Sequence, residues 1–136
     1  MRRFFVDTFY VIALANRRDQ WHRRVVTFSR ALRNVCLSTV DEVLAEFLTF
    51  SSTAGAHLRI HAARTVRQAL HDPQWTVLPQ SHTSLLDALT LYESRPDKEY
   101  SLTDCVSMQT MRREGLTDVL SNDRHCTQEG FHLLFA

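Results

Sequence analysis

Four acidic residues stand far apart in this chain, each beside a short apolar run or early in an amphipathic one. They are Asp7 in RFFVDT, Glu46 in VLAEF, Asp104 in SLTDC and Asp123 in SNDRH. Carboxylates brought together repel one another and resist burial without a counter-charge. Four of them with no His or Cys in a known metal spacing make a hard oxygen donor set, which suits Mg²⁺ or Mn²⁺ rather than zinc.

Three of the four also have local uses. Asp7 can cap a helix starting at Thr8, Ser101 and Asp104 have the spacing of a capping box, and Asp123 can be a turn aspartate. Glu46 has no such use so far inside its helix. A rotation of 100° per residue places Val43, Phe47 and Phe50 around it, with Leu44 and Leu48 covering the rest, so a partner or a metal is expected. Its neighbour Glu42 stands three residues after Thr39, which makes TVDE a capping box and assigns Glu42 to helix chemistry.

The elements that must position these residues alternate in type. Strands are expected at 3–7, 35–39, 75–79, 117–123 and 131–135. Helices are expected at 8–16, at 19–34 with Asp19 as N-cap, over the VDEVLAEFLTF run, at 55–72 before Pro73, at 81–94 before Pro96, and at 101–115 with Gly115 just past the end. In the second helix Trp21, Val25, Phe28 and Leu32 form one stripe. Strand–helix alternation along the whole chain argues one α/β domain, residues 1–136, on a parallel sheet. In such a sheet the strand ends and first helical turns share one edge, where the four acids can converge.

The 136 residues, 44% hydrophobic and 23% charged, suffice for one core, and three Gly with three Pro leave no flexible linker. No apolar run reaches the roughly 18–20 residues that span a membrane, and the N-terminal run lacks a signal-peptide cleavage pattern. Cys36, Cys105 and Cys126 show no C-x-x-C and read as reduced thiols in the cytoplasm. Net charge is +1, with a single lysine, Lys98, among the basic residues. Arg17, Arg18, Arg23, Arg24, Arg30 and Arg33 gather early, a solvated helix face or a phosphate-binding one. His57 and His61, four apart, read as surface residues. A G-x-S-x-G elbow, a P-loop and a G-x-G-x-x-G are all absent. A dehalogenase-type phosphatase would need an acid where Phe9 stands, and a receiver domain would need a late lysine after a strand.

The ordered set FFVDTFYVIALANRRDQWH, STVDEVLAEFLTF and YSLTDCVSMQTMRREGLTDVLSNDRHCTQEGFHLL resembles the PIN-domain ribonucleases of the VapC-like toxin type. The resemblance covers nearly the whole chain. It implies a three-layer α/β/α sandwich whose five-stranded parallel sheet runs in the order 3-2-1-4-5. It also implies Mg²⁺-dependent cleavage of RNA (Mn²⁺ as the other candidate) with one or two ions held by Asp7, Glu46, Asp104 and Asp123. Arg17, Arg18 and Arg124 are its candidates for holding the RNA backbone. Dimerisation and neutralisation by a small antitoxin are implied as well. Ser121 stands where threonine is commoner, and Cys126 where phenylalanine usually follows the histidine. A housekeeping RNA-processing nuclease and a non-catalytic PIN-like binding module are the other readings.

Overall fold

Phe4 and Val6 leave the first strand on one side and Phe5 on the other, and all three are completely buried. Side chains alternate along a strand, so a run of apolar residues with no polar break means that both faces are covered, the mark of a parallel sheet. The computed structural model describes residues 1–136 and shows that arrangement. β1 (Arg2–Val6) leads to α1 (Thr8–Ala15) and α2 (His22–Ala31), and β2 (Val35–Val40) to α3 (Asp41–Ser51) and α4 (Ala56–His71). After β3 (Trp75–Leu78) come α5 (His82–Ser94) and α6 (Leu102–Glu114); then β4 (Asp118–Leu120), α7 (His125–Gln128) and β5 (His132–Leu133) close the chain. All four strand pairings are parallel and the order is β3-β2-β1-β4-β5, as the resemblance implies.

Two apolar clusters lie on either side of this sheet. Phe4 and Val6 pack with Tyr10 of α1, Val25 of α2, Phe47 of α3 and Val66 of α4. Phe5 packs with Val43 of α3, Leu91 of α5, and Cys105 and Met108 of α6. Helix α3 therefore serves both layers. No helix is long and apolar enough to cross a membrane. The three cysteines are unpaired, with Cys105 and Cys126 buried.

Element ends follow local chemistry. The Ser101–Asp104 capping box forms in both directions, and Gly115 closes α6 in the left-handed region at φ 68°. Three expectations need correction, and one element was not expected. The helix after the first loop starts at His22, and Asp19 accepts the Trp21 N–H in the preceding turn instead of capping it. The last two strands, Asp118–Leu120 and His132–Leu133, are shorter than their apolar runs, although backbone hydrogen bonds from Leu134 to Val119 and from Phe135 to Ser121 continue the pairing past them. The short helix α7 had no signal of its own. The TVDE box does not form: Val40 is still extended, α3 begins at Asp41, and the Thr39 hydroxyl donates instead to the Val6 carbonyl at 2.8 Å. β2 has claimed the threonine for its neighbour β1.

Candidate active site

Strand register brings the acids together. Val6 pairs with Leu120, so the next residues along, Asp7 and Ser121, sit side by side at the C-terminal edge of the sheet. Fully buried Ser121 donates its hydroxyl to Asp7 Oδ2 at 2.7 Å and accepts the Asp123 N–H at 3.0 Å. One hydroxyl thus joins the first and last of the four acids. On the other side, Asp7 caps α1 by accepting the Thr8 N–H at 2.9 Å, and the Thr8 hydroxyl donates to Glu46 Oε1 at 2.6 Å. The capping use and the site use of Asp7 coexist, as they do for Asp104, whose Oδ2 accepts the Ser101 N–H.

Asp104 and Asp123 meet at His125. The imidazole Nδ1 lies 3.8 Å from Asp104 Oδ2 and 3.4 Å from Asp123 Oδ1, and ligand atoms of the three residues all lie within 4.8 Å of one another. Asp123 also accepts the His125 N–H at 3.0 Å. His125 Nδ1 is buried and has no hydrogen-bond partner. Two carboxylates with an unsatisfied imidazole nitrogen between them fit a divalent cation. His125 thus adds a nitrogen donor beside the oxygen-only set expected from sequence. The signal was its place two residues after Asp123.

The electrostatics report the same crowding. The Asp7 carboxyl is raised to about 6, chiefly by burial, with Asp104 and Glu46 pushing the same way against the Ser121 and Thr8 hydrogen bonds. The Cys126 thiol, buried behind the site, is pushed up to about 12 by burial and then by Asp7, Asp123 and Asp104.

Glu46 reaches the site by a different route from the one its helix wheel implied. Val43, Leu44, Phe47 and Ser51 form the buried face of α3, while Glu46 is exposed, as are Leu48 and Phe50. Thr8 fixes its direction, and no apolar enclosure does. Glu42 is the partly buried acid: its Oε1 has no partner, beside Ser81 of the turn before α5 and Thr103 of α6. Arg17 and Arg18 are exposed beyond the end of α1 in a cleft with His57 and His61, whose surface positions agree with expectation. Arg124 is exposed next to Asp123.

A second polar cluster was not foreseen. The Glu129 side chain, 4% exposed, accepts hydrogen bonds from Arg95, Arg112 and the Tyr100 hydroxyl at 2.7–3.3 Å. Burial resists its charge, but these donors outweigh it and hold the carboxyl down at about 2. The Tyr100 ring lies 5.2 Å from the His125 ring, so this knot braces the segments that carry Asp104 and His125.

The sheet order, the flanking helices and the acidic edge define a PIN-domain fold. Solved structures share it. VapC20 of Mycobacterium tuberculosis, a Sarcin-Ricin loop cleaving toxin, superposes with a TM-score of 0.82 at 22% identity, covering 94% of this chain and 95% of that one. FitAcB from Neisseria gonorrhoeae gives 0.67 at 16% identity over 98% and 96%. VapBC2 from Rickettsia felis, bound to a DNA fragment from its promoter, gives 0.66 at 12% identity over 96% of each chain. These neighbours are PIN-domain toxin–antitoxin proteins. No family model and no curated protein matches the sequence.

Proposed function

We propose that the chain is a metal-dependent endoribonuclease and the toxin of a toxin–antitoxin pair. The observation that carries this is the meeting of Asp104 and Asp123 at an unpartnered His125 nitrogen, with Asp7 tied to Asp123 through Ser121 and Glu46 held by Thr8, on a fold shared with an RNA-cleaving toxin. The toxin–antitoxin character of the neighbours supports an antitoxin partner; a homodimer in the cytoplasm belongs to the same proposal.

Asp104, Asp123 and His125 would hold one divalent ion, Mg²⁺ or Mn²⁺, with Asp7 and Glu46 completing its shell or serving a second. A bound ion supplies Lewis-acid stabilisation of the phosphate charge and a more acidic water. The protein's part is placement. Ser121 holds Asp7 against Asp123, and Thr8 turns Glu46 toward the same point. Asp7, titrating near 6, is ionised at neutral pH and lends its charge to the site. Arg17, Arg18 and Arg124 are the cations placed to hold RNA phosphates near this edge.

The test is cleavage of RNA with Mg²⁺, with Mn²⁺ and with EDTA, alongside growth of a bacterial host expressing the wild type or Asp7→Asn. Metal-dependent cleavage with growth arrest by the wild type alone is expected. Cleavage without arrest points to a housekeeping nuclease. No cleavage of any RNA leaves a binding module.

A further inference from the structure

Asp104 stands at the start of α6 and His125 at the start of α7, so the cluster that fits a cation is assembled from separate stretches of chain. Glu129 follows His125 by four residues, one helical turn along α7. Its buried carboxylate ties the stretches together. Oε1 accepts from Arg112 at 2.7 Å, and Oε2 accepts from Arg95 at 3.0 Å and from the Tyr100 hydroxyl at 2.9 Å. Arg112 also reaches the Glu129 carbonyl at 3.4 Å and lies over the Phe131 ring at 5.5 Å. Glu129 is thus held from several directions, and Tyr100 is the member of the group that faces the site.

The His125 ring needs such a neighbour. Asp123 accepts the backbone N–H of His125, which fixes the start of α7 but not the imidazole. The torsion that turns an imidazole has broad wells, so keeping one nitrogen on a metal takes an outside constraint. In most metal sites that constraint is a hydrogen bond to the other ring nitrogen. No hydrogen bond of this protein involves the His125 ring. The Tyr100 ring stands in its place: it is 5% exposed, and its centre lies 5.2 Å from that of His125 at an interplanar angle of 60°. A phenol held by packing alone can tilt with its neighbour. One whose hydroxyl is bonded to a carboxylate fixed by two guanidiniums resists it.

We propose that Tyr100 and Glu129 are positioning residues of the metal site: the Glu129 carboxylate pins the Tyr100 hydroxyl, and the pinned ring holds the His125 imidazole with Nδ1 between Asp104 and Asp123. This rests on the nuclease reading for the divalent ion, and it names the groups outside the acidic centre that set how tightly the ion is held. Nδ1 lies 3.4 Å from Asp123 Oδ1 and 3.8 Å from Asp104 Oδ2. Adjacent ligands of an octahedral Mg²⁺ stand roughly 3 Å apart, so a small closure brings these atoms onto one ion, and turning the ring takes Nδ1 out of the set.

The experiment measures Mn²⁺ binding to the full chain without RNA, from the electron paramagnetic resonance signal of the free ion. Tyr100→Phe keeps the ring and removes only the pinned hydroxyl, and it should weaken Mn²⁺ binding about tenfold, the usual loss when a group that orients a ligand is removed. Glu129→Ala should do the same. Glu129→Gln still accepts the Tyr100 hydroxyl and should stay within about threefold of wild type. In a His125→Ala background Tyr100→Phe should change the affinity by less than about twofold, because no imidazole is left to orient. A merely structural role would lower the melting temperature and act alike in both backgrounds. Equal losses with and without His125 overturn the proposal, as does an unchanged affinity in Tyr100→Phe or a wild type that binds no Mn²⁺. RNA cleavage by the wild type is scored separately. Coupled Mn²⁺ binding with no cleavage counts against the nuclease reading alone, and metal-dependent cleavage without the coupling counts against this proposal alone.

Discussion

Asp7 holds a charge that the fold makes costly, so removing that charge should strengthen the protein while weakening any metal bound beside it. Its carboxyl is raised from 3.8 to about 6 by burial and by Asp104 and Glu46. The native state therefore binds the proton more readily than the unfolded chain. Between pH 4 and 6 stability falls as pH rises, and above 6 the full penalty is present. Two pKa units correspond to about 3 kcal/mol, an upper figure once the site relaxes. Asn at this position keeps an acceptor for Thr8 and presents its amide to the Ser121 oxygen, so Asp7→Asn should recover about 1–3 kcal/mol at pH 7.5 without metal. At roughly 2 cal/mol/K per residue over 136 residues, that is a rise of about 4–10 °C in melting temperature. The advantage should shrink toward zero near pH 4, where the wild-type carboxyl is also protonated. Scanning calorimetry in EDTA at several pH values measures it, and repeating the scans with millimolar Mn²⁺ should raise the wild type more than the variant. A variant that melts below the wild type at pH 7.5 without metal would refute the crowded-carboxylate account.

Exchanging the roles of the two glutamates of α3 is equally direct: Glu46→Gln should lower metal-dependent cleavage by roughly two orders of magnitude. Glu42→Gln, whose carboxylate bonds to nothing, should leave it within a few-fold, and both rates come from one RNA assay. The Glu129 knot predicts an acid-labile contribution of the opposite sign to that of Asp7. With its carboxyl held at about 2, the stability it adds is complete above about pH 4.5 and is lost as pH falls toward 2. Wild type should accordingly out-melt Glu129→Gln at pH 6 and lose that lead by pH 2. A lead that does not change with pH would mean that the knot is packing alone.

The strands were legible because buried parallel strands are written as uninterrupted apolar runs, and Pro73, Pro96 and Gly115 mark helix ends; the strand order came from the resemblance and not from the runs. Local chemistry was read well only where it stayed local. Ser101 and Asp104 form the expected box, whereas Thr39 was taken by a strand neighbour that no local window contains. Glu46 was chosen for its apolar setting, and its place at the site comes instead from Thr8, 38 residues earlier. His125 and Glu129 escaped notice for the same reason: their partners at Asp104, Arg95 and Arg112 are brought to them by the fold alone.

The acidic centre lies on a seam. Asp7 and Glu46 come from the first 46 residues, and Asp104 and Asp123 from the last 33, with the Ser121 hydroxyl as the hydrogen bond that crosses between them. β1 cannot receive β4 until residues 119 and 120 have been made. A chain emerging from the ribosome therefore carries half of the acidic centre for most of its synthesis. If that centre cuts RNA, the nascent enzyme is harmless to the machine that is building it, and becomes dangerous only when its last strands have docked.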